Sequence, residues 1–166
     1  RDLAMVFQDY ALWPHLTAFE NVGYALKRRK LPPQEFAASV MKAITRVGLG
    51  LKGEHYPHQL SGGEQQRIAL ARAIVADPSL LLFDEPLSNL DADLRERLRI
   101  EISSLTREIG ATALYITHDQ SEAFALADRI GVINNGSIVQ VDRPEIIYEK
   151  PASRLDRKST CLNSSH

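Results

Sequence analysis

Residues 80–86 read LLLFDEP, which is four apolar residues, two adjacent carboxylic acids and a proline. A short run without a polar position is typical of a strand buried on both faces of a parallel sheet. Asp84 and Glu85 follow this strand, and two adjacent carboxylates of like charge repel each other. A Mg²⁺ ion bound to one carboxylate would reduce that repulsion. The other carboxylate could then deprotonate a water molecule. An ordinary acidic turn ended by Pro86 is the alternative.

Two further short apolar runs, residues 3–7 and 113–116, are also predicted to be buried strands. Gln8 follows the first run, and Thr117 with His118 follows the second. The carboxyl ends of parallel strands lie at one edge of a sheet, where α/β proteins bind their ligands. Polar side chains after three such strands therefore predict a functional site at that edge.

The segment between the first two strands has the pattern of a helical lobe. Thr17, with Glu20 three residues later, predicts a capped helix that runs to about residue 27. Pro32 and Pro33 predict the start of a second helix, whose apolar positions keep helical spacing up to Gly48. We therefore predict that residues 11–77 are mainly helical.

The segment after residue 86 alternates between helix and strand. A stripe of apolar residues predicts an amphipathic helix that ends at Gly110, and a buried strand follows it, as in a strand–helix–strand unit of a parallel sheet. Asp119 and Glu122 have the spacing that caps a further helix. Asn135 and Gly136 predict a tight hairpin turn. The apolar stripe consists of Leu94, Leu98, Ile102, Leu105 and Ile109.

The stretch LSGGE, residues 60–64, places two successive glycines at a helix start. Glycine in a helix costs up to about 1 kcal/mol relative to alanine. Because Gly62 and Gly63 have no side chains, their backbone N–H groups would be accessible at the positive end of the helix dipole, where phosphates bind. Ser61 and Glu64 have the spacing of a capping box, so a plain helix start with a flexible lead-in is the alternative.

The composition predicts a soluble, cytoplasmic α/β protein. The 166 residues are 44% hydrophobic, enough for one core, and 20 Lys+Arg balance 21 Asp+Glu. A net charge of −1 argues against a non-specific nucleic-acid binder. The single cysteine, Cys161, excludes a disulfide framework, and no Cys/His spacing resembles a zinc site. No apolar run approaches the roughly 18 residues of a membrane span, and the first residues do not resemble a signal peptide.

The last residues, RLDRKSTCLNSSH at 154–166, are polar and serine-rich and have no periodicity. We predict that they are disordered or non-native, and a genuine extension is the alternative. The other predicted parts are a strand and loop region over 1–10, a helical lobe over 11–77 and an α/β lobe over 78–153. Neither end resembles the end of an intact domain, so we expect the chain to be a fragment.

Taken together, these segments resemble the nucleotide-binding subunit of ATP-binding-cassette (ABC) transporters over about residues 3–151. The resemblance implies an α/β fold of the P-loop NTPase class, incomplete at its N-terminus, with an inserted helical subdomain. The motifs occur in the family's order. They are Gln8 as the Q-loop residue, LSGGEQQR (60–67) as the signature, LLLFDEP (80–86) as Walker B, SNLDADLR (88–95) as the D-loop and YITHD (115–119) with the switch histidine.

The resemblance implies ATP and Mg²⁺ as ligands and a role for each motif residue. Glu85 is implied as the general base, and His118 as a contact to the γ-phosphate. Asp84 is implied to hold Mg²⁺ through water, and Gln8 to reach the same ion. The implied nucleotide-binding set is Gln8, Ser61, Gly62, Gly63, Glu64 and Asp91, in which Glu64 stands where the family more often has glutamine.

The partners are likewise implied by the resemblance. The working unit would be a head-to-tail dimer with a second ABC ATPase subunit, with two ATP molecules between the subunits. Residues 8–26, 116–128 and 136–150 resemble importer ATPases that serve sugars, polyamines, ferric iron or sulfate-like anions. In such importers the region from Tyr10 to His15 would receive transmembrane permease subunits, although Trp13 as a plain core residue is the alternative. The protein would then be peripheral, on the cytoplasmic side of the bacterial inner membrane.

The chain departs from the family in one respect, because it contains no G-x-x-x-x-G-K-[ST] sequence. Without this Walker A loop, we expect the chain alone neither to bind nor to hydrolyse ATP. Two alternatives to an importer ATPase stay open. One is a soluble, non-transport ATPase of the same superfamily, and the other is a non-catalytic fragment that docks on a membrane subunit.

Overall fold

The computed structural model describes residues 3–88, 90–150 and 160–165, the last six as backbone only. Within these residues, the structure has six α-helices and six strands. The helices are α1 (Ala18–Gly23), α2 (Pro33–Arg46), α3 (Gly62–Ile74), α4 (Ala92–Ile109), α5 (Gln120–Leu126) and α6 (Pro144–Glu149). The strands are β1 (Leu3–Val6), β2 (Leu80–Asp84), β3 (Thr112–Thr117), β4 (Arg129–Asn134), β5 (Ser137–Asp142) and β6 (Thr160–Ser165).

These strands form one sheet in the order β1-β2-β3-β6-β4-β5. β1, β2 and β3 are parallel, and their register places Val6 beside Phe83 and Phe83 beside Tyr115. The pairs that involve β4, β5 and β6 are antiparallel. The predicted parallel strands and the strand–helix–strand unit are therefore confirmed, and the fold is of the α/β class.

The central strand β2 is fully buried on one face only. Leu81 and Phe83 are at most 1% exposed, whereas Leu80 and Leu82 are half-buried. The prediction that this strand is buried on both faces is therefore wrong for the part of the chain that the structure describes. Phe83 and Tyr115 belong to the hydrophobic core together with buried residues of α3 and α4. These two helices therefore cover the face of the sheet that contains Phe83 and Tyr115.

The helix ends follow the capping signals of the sequence. Thr17 Oγ1 accepts from the backbone N–H of Glu20, and the Glu20 carboxylate accepts from the backbone N–H of Thr17 at 2.8 Å. α2 begins at Pro33, and Gly110 follows α4 with a φ of +65°, a conformation that favours glycine. One helix boundary differs from the prediction. α1 ends at Gly23, and a 3₁₀ helix follows it over Tyr24–Arg29.

The C-terminal part contains one confirmed prediction. β4 and β5 form the predicted hairpin, whose turn residues Asn135 and Gly136 both have positive φ. Within the tail predicted to be disordered or non-native, residues 160–165 form β6, which bonds to β3 and to β4. Strand pairing depends on backbone N–H and C=O groups, so a polar sequence without periodicity can still take part in it. The rest of the tail lies outside the described residues.

α1, α2 and α3 lie between β1 and β2 in the chain and pack against one another. They occupy the segment that the sequence predicts to be a helical lobe, and the exact boundaries of that lobe stay a prediction. None of the helices in the described residues combines the length and the apolar character needed to cross a membrane.

Candidate functional site

The carboxyl ends of β1, β2 and β3 meet at one edge of the sheet. Gln8 follows β1, Asp84 is the last residue of β2, and His118 follows β3. The backbone N–H of Glu85 donates to the carbonyl oxygen of Ile116 in β3 at 3.0 Å. This bond holds the first residue after β2 against the neighbouring strand, so the acidic pair and the histidine share one edge.

The structure brings Glu85 and His118 into direct contact. Nδ1 of His118 lies 3.1 Å from Oε2 of Glu85. The histidine side chain is 66% exposed, whereas the glutamate side chain is 28% exposed. An imidazole and a carboxylate at this distance orient each other and can hold or transfer a proton. The pair therefore has the chemistry of a general base with an orienting partner.

The backbone of Glu85 is held in an unusual conformation. Its φ is +44°, in the left-handed region that a residue with a side chain rarely adopts. Ser88 supports this turn, since its Oγ and its backbone N–H both donate to the carbonyl oxygen of Glu85, at 3.0 and 3.3 Å. Such conformations cost about 1–3 kcal/mol and are found in tight turns and at functional sites. The conformation therefore supports a functional role for Glu85.

Ser61 and Glu64 form the predicted capping box at the start of α3. Ser61 Oγ accepts from the backbone N–H of Glu64 at 3.3 Å, and Glu64 Oε2 accepts from the backbone N–H of Ser61 at 2.9 Å. Lys52 Nζ lies 3.5 Å from the other oxygen of Glu64. The bond from the Ser61 backbone lowers the pKa of Glu64. The Glu64 carboxylate is thus engaged within the helix cap.

The two glycines of this helix start have different structural roles. A Cβ on Gly63 would lie 3.1 Å from Cδ2 of Leu94 in α4, so this glycine allows α3 to approach α4 closely. A Cβ on Gly62 would meet nothing within 4 Å, and Gly62 is exposed. From the sequence, both glycines were predicted to expose their backbone to a phosphate. Only Gly62 presents its backbone freely to solvent.

Two further predicted site residues, Asp91 and Ser61, are helix N-caps. Asp91 precedes α4, and its Oδ1 accepts from the backbone N–H of Leu94 at 2.9 Å. Ser61 precedes α3, and no hydrogen bond or ion pair within the described part of the chain joins it to Glu85 or His118. The structure therefore shows a local capping role for both residues.

Gln66 is a residue that the sequence analysis missed. It is 1% exposed, and its Nε2 donates to the carbonyl oxygen of Pro86 at 2.8 Å. This bond joins the glycine-rich helix to the turn after β2. A glutamine one helical turn after Gly62 could have been noticed, but only the tertiary structure shows that its side chain is buried.

Glu122 also has a role that the sequence did not indicate. Asp119 caps α5, since its Oδ1 accepts from the backbone N–H of Ser121 at 2.8 Å. The Glu122 carboxylate does not return to this cap and instead accepts from Thr117 Oγ1 at 2.8 Å. Glu122 is 5% exposed, and its burial raises its pKa.

We expect Glu122→Gln to raise the free energy of unfolding of the chain at neutral pH. Because the folded state raises the pKa of Glu122, the stability that this group contributes is full below its unfolded pKa and is lost as the pH rises through its folded pKa. The gain from glutamine should therefore be largest at neutral pH and disappear in acid. Urea unfolding at a series of pH values measures it. A gain independent of pH, or an equal gain for the exposed Glu101→Gln control, would contradict the prediction.

The region from Tyr10 to His15 forms an aromatic surface on the helical lobe. The Trp13 ring contacts the Tyr24 ring with centroids 4.3 Å apart, and the Arg72 guanidinium lies 5.0 Å from the Trp13 centroid. Arg72 also donates to the carbonyl oxygen of Tyr10 at 2.8 Å. Trp13 is half-buried, so it is not a plain core residue.

The Asn21 side chain forms hydrogen bonds with the backbone of the loop that carries this aromatic surface. It is fully buried; its Oδ1 accepts from the backbone N–H of Trp13 at 2.9 Å, and its Nδ2 donates to the carbonyl oxygens of Leu16 and Thr17, each at 3.0 Å. One side chain thus satisfies several backbone groups of the loop. The sequence analysis did not single out Asn21.

We expect Asn21→Ala to destabilise the chain by at least about 2 kcal/mol, because it leaves several buried backbone groups without partners. The fluorescence of Trp13, the single tryptophan of the chain, should change as its loop loosens. Urea unfolding measures the stability, and Gln34→Ala on the exposed surface of α2 is the control. A variant as stable as this control, with unchanged fluorescence, would show that Asn21 does not organise the loop.

The acidic pair and His118 lie at the carboxyl edge of a parallel sheet, which is where open α/β proteins bind their ligands. Comparison with known proteins specifies the class. A family model described as ABC transporter matches residues 1–88, just over half of the chain. The chain therefore belongs to the ABC transporter family.

Several individual proteins are similar to most of this chain. It is 54% identical over 153 residues to the sn-glycerol-3-phosphate import ATP-binding protein UgpC of Brucella abortus (strain 2308), covering 92% of the chain and 44% of that protein. It is 52% identical over 155 residues to the spermidine/putrescine import ATP-binding protein PotA of Thermobifida fusca (strain YX), covering 93% and 40%. The Fe(3+) ions import ATP-binding protein FbpC of Escherichia coli (strain K12) is 51% identical over 155 residues, covering 93% and 44%. The chain thus spans less than half the length of these relatives.

Proposed function

We propose that the whole protein hydrolyses ATP as the ATP-binding subunit of an ABC import system. The observation that carries this proposal is the Glu85–His118 pair, with 3.1 Å between Oε2 and Nδ1 at the carboxyl edge of the sheet. The names of the relatives, all import ATP-binding proteins, support the import function. Their named solutes differ at nearly equal identity, so the proposal includes no particular solute.

Glu85 acts in this proposal as the general base. Its carboxylate accepts a proton from the water that attacks the γ-phosphate, a contribution of about 10²–10⁴ in rate. His118 contacts the γ-phosphate, and its bond to Glu85 orients both side chains. The left-handed backbone of Glu85 supports this assignment, because it holds the carboxylate beside the histidine.

Asp84 and Gln8 are the proposed residues for Mg²⁺. Mg²⁺ is usually bound through one or two carboxylates together with substrate phosphates, so a group of three protein ligands is not required. The half-buried carboxylate of Asp84 at the end of β2 and the amide oxygen of Gln8 fit this donor set. When bound, the ion would neutralise phosphate charge. Asp84 and Gln8 would hold it beside the base.

The start of α3 would serve a second subunit. The exposed backbone of Gly62 lies at the positive end of the α3 dipole, which suits a phosphate. No hydrogen bond within the described residues joins Ser61 to Glu85, and we propose that Ser61, Gly62 and Gly63 bind the γ-phosphate of ATP held by the opposite subunit. Asp91 would lie at the same interface. The functional unit in this proposal is a head-to-tail dimer.

The aromatic surface around Trp13 is the proposed contact with the transmembrane permease subunits, which would place the protein on the cytoplasmic side of the membrane. We expect Trp13→Ala to weaken copurification with the permease by at least about tenfold, since a central buried aromatic often contributes 2 kcal/mol or more. Tyr148→Ala is the control, because Tyr148 is an aromatic residue that is 80% exposed elsewhere. Equal copurification of both variants would contradict the assignment.

The experiment that tests the proposed function is the Mg²⁺-dependent release of phosphate from ATP by the purified whole protein. Coexpression with the permease subunits of an ABC import system tests the import role. Hydrolysis together with permease copurification is the expected result. Hydrolysis by a protein that copurifies with no permease would instead support a non-transport ATPase. A whole protein that hydrolyses no ATP would contradict the proposal.

A further inference from the structure

Arg95 connects two loops at the functional edge. It lies in the first part of α4, and its Nη2 donates to the carbonyl oxygen of Leu90, in the loop that precedes this helix, at 2.9 Å. On its other side, Nη1 lies 3.8 Å from Asp119 Oδ2, and Nε lies 3.9 Å from Glu122 Oε1. One guanidinium therefore contacts both the loop before α4 and the segment that follows β3.

The segment that follows β3 carries His118, and the same network holds both of its neighbours. Thr117 Oγ1 donates to Glu122 Oε2 at 2.8 Å and accepts from the backbone N–H of Asp119 at 3.0 Å. Glu122 therefore accepts from the residue before His118 and lies beside Arg95. A displacement of the Glu122 carboxylate would be passed through the Thr117 hydroxyl to the backbone on both sides of His118.

The contact between Arg95 and Glu122 is incompletely formed. The Nε of Arg95 is buried and has no hydrogen-bond acceptor within the described part of the chain. Its nearest carboxylate is the one of Glu122, and 3.9 Å is too long for a hydrogen bond. A buried donor without an acceptor is unfavourable by about 1–3 kcal/mol. A shift of about 1 Å would complete this bond, so the contact can respond to a small movement of the loop before α4.

We propose that Arg95 is a positioning residue through which the loop before α4 sets the place of His118. A movement of Leu90 displaces the guanidinium, the guanidinium displaces Glu122, and Thr117 transmits this to His118. Arg95 contacts Leu90, Asp119 and Glu122 and acts only through these groups. The inference rests on the proposed ATP hydrolysis, because the place of His118 affects rate only if this residue contacts the phosphate.

The kinetic test compares Arg95→Met with Arg97→Met in the whole protein. Arg97 is exposed on the same helix, so the control removes an equal charge outside the network. We expect Arg95→Met to lower kcat by up to about 100-fold, the effect of a misplacement of about 1 Å, with an unchanged KM for ATP. In a His118→Ala background, the same substitution should produce no further loss. Arg95→Lys keeps the positive charge, so it should retain more of the rate than Arg95→Met. If Arg95→Met does not fold, Arg95→Lys takes its place in the comparison with Arg97→Met.

A second measurement does not depend on hydrolysis. In NMR spectra of the ¹⁵N-histidine-labelled whole protein, the His118 signals are identified by their loss in His118→Ala. We expect Arg95→Met to shift these signals and Arg97→Met to leave them in place. Equal His118 signals in both variants would overturn the inference, as would an equal loss of kcat with and without His118. A parent protein without ATPase activity would contradict the proposed function, and the NMR comparison would then decide the inference alone.

Discussion

We expect the Glu85→Gln variant of the whole protein to hydrolyse ATP at least about 100-fold more slowly than the parent, while it still binds ATP and forms the ATP-bound dimer. Glutamine has the size of glutamate, and its amide oxygen can still accept from Nδ1 of His118, 3.1 Å from the carboxylate oxygen in the structure. It cannot take a proton from water. The substitution should therefore remove the chemical step and leave binding in place.

Steady-state phosphate release measures the rate, and size-exclusion chromatography with Mg-ATP measures the dimer. Glu101→Gln is the matched control, because it removes an exposed carboxylate from α4, away from the edge of the sheet. It should hydrolyse ATP at the rate of the parent. If Glu85→Gln also retained that rate, the general base would have to be another residue.

We expect Gly62→Asp to lower ATP hydrolysis by about 100-fold or more without destabilising the monomer. A side chain at this position would meet nothing within 4 Å, and a carboxylate in the first turn of α3 interacts favourably with the helix dipole. The same carboxylate would repel a phosphate bound at this helix start. Two like charges 4 Å apart repel each other by about 4 kcal/mol near a protein surface.

Gly62→Asn is the matched control, since asparagine has the shape of aspartate without its charge. We expect Gly62→Asn to retain clearly more activity than Gly62→Asp, and both variants to unfold at the urea concentration of the parent or above it. Activity of both variants equal to that of the parent would show that no anion binds at Gly62. A destabilised Gly62→Asp monomer would contradict the helix-dipole argument.

Local sequence signals determined most of the secondary structure. Thr17 and Ser61 begin helices as predicted, because a capping box involves only residues three apart in the chain. Asn135 and Gly136 form the predicted turn, because both tolerate positive φ. Such interactions are short-range, so they can be predicted from residue order alone. The location of Gln8, Asp84 and His118 at one edge of the sheet could also be predicted from the sequence, because the carboxyl ends of parallel strands lie at the same edge.

The tertiary structure decided what the side chains at that edge contact. Gln66 bonds to Pro86 across 20 positions of the chain, and Arg95 lies between Leu90 and Glu122. The sequence analysis interpreted Glu122 as part of a helix cap. Whether a carboxylate bonds to its own helix or to a neighbouring strand depends on which elements pack beside it. That packing is set by the burial of residues far apart in sequence, which no local pattern specifies.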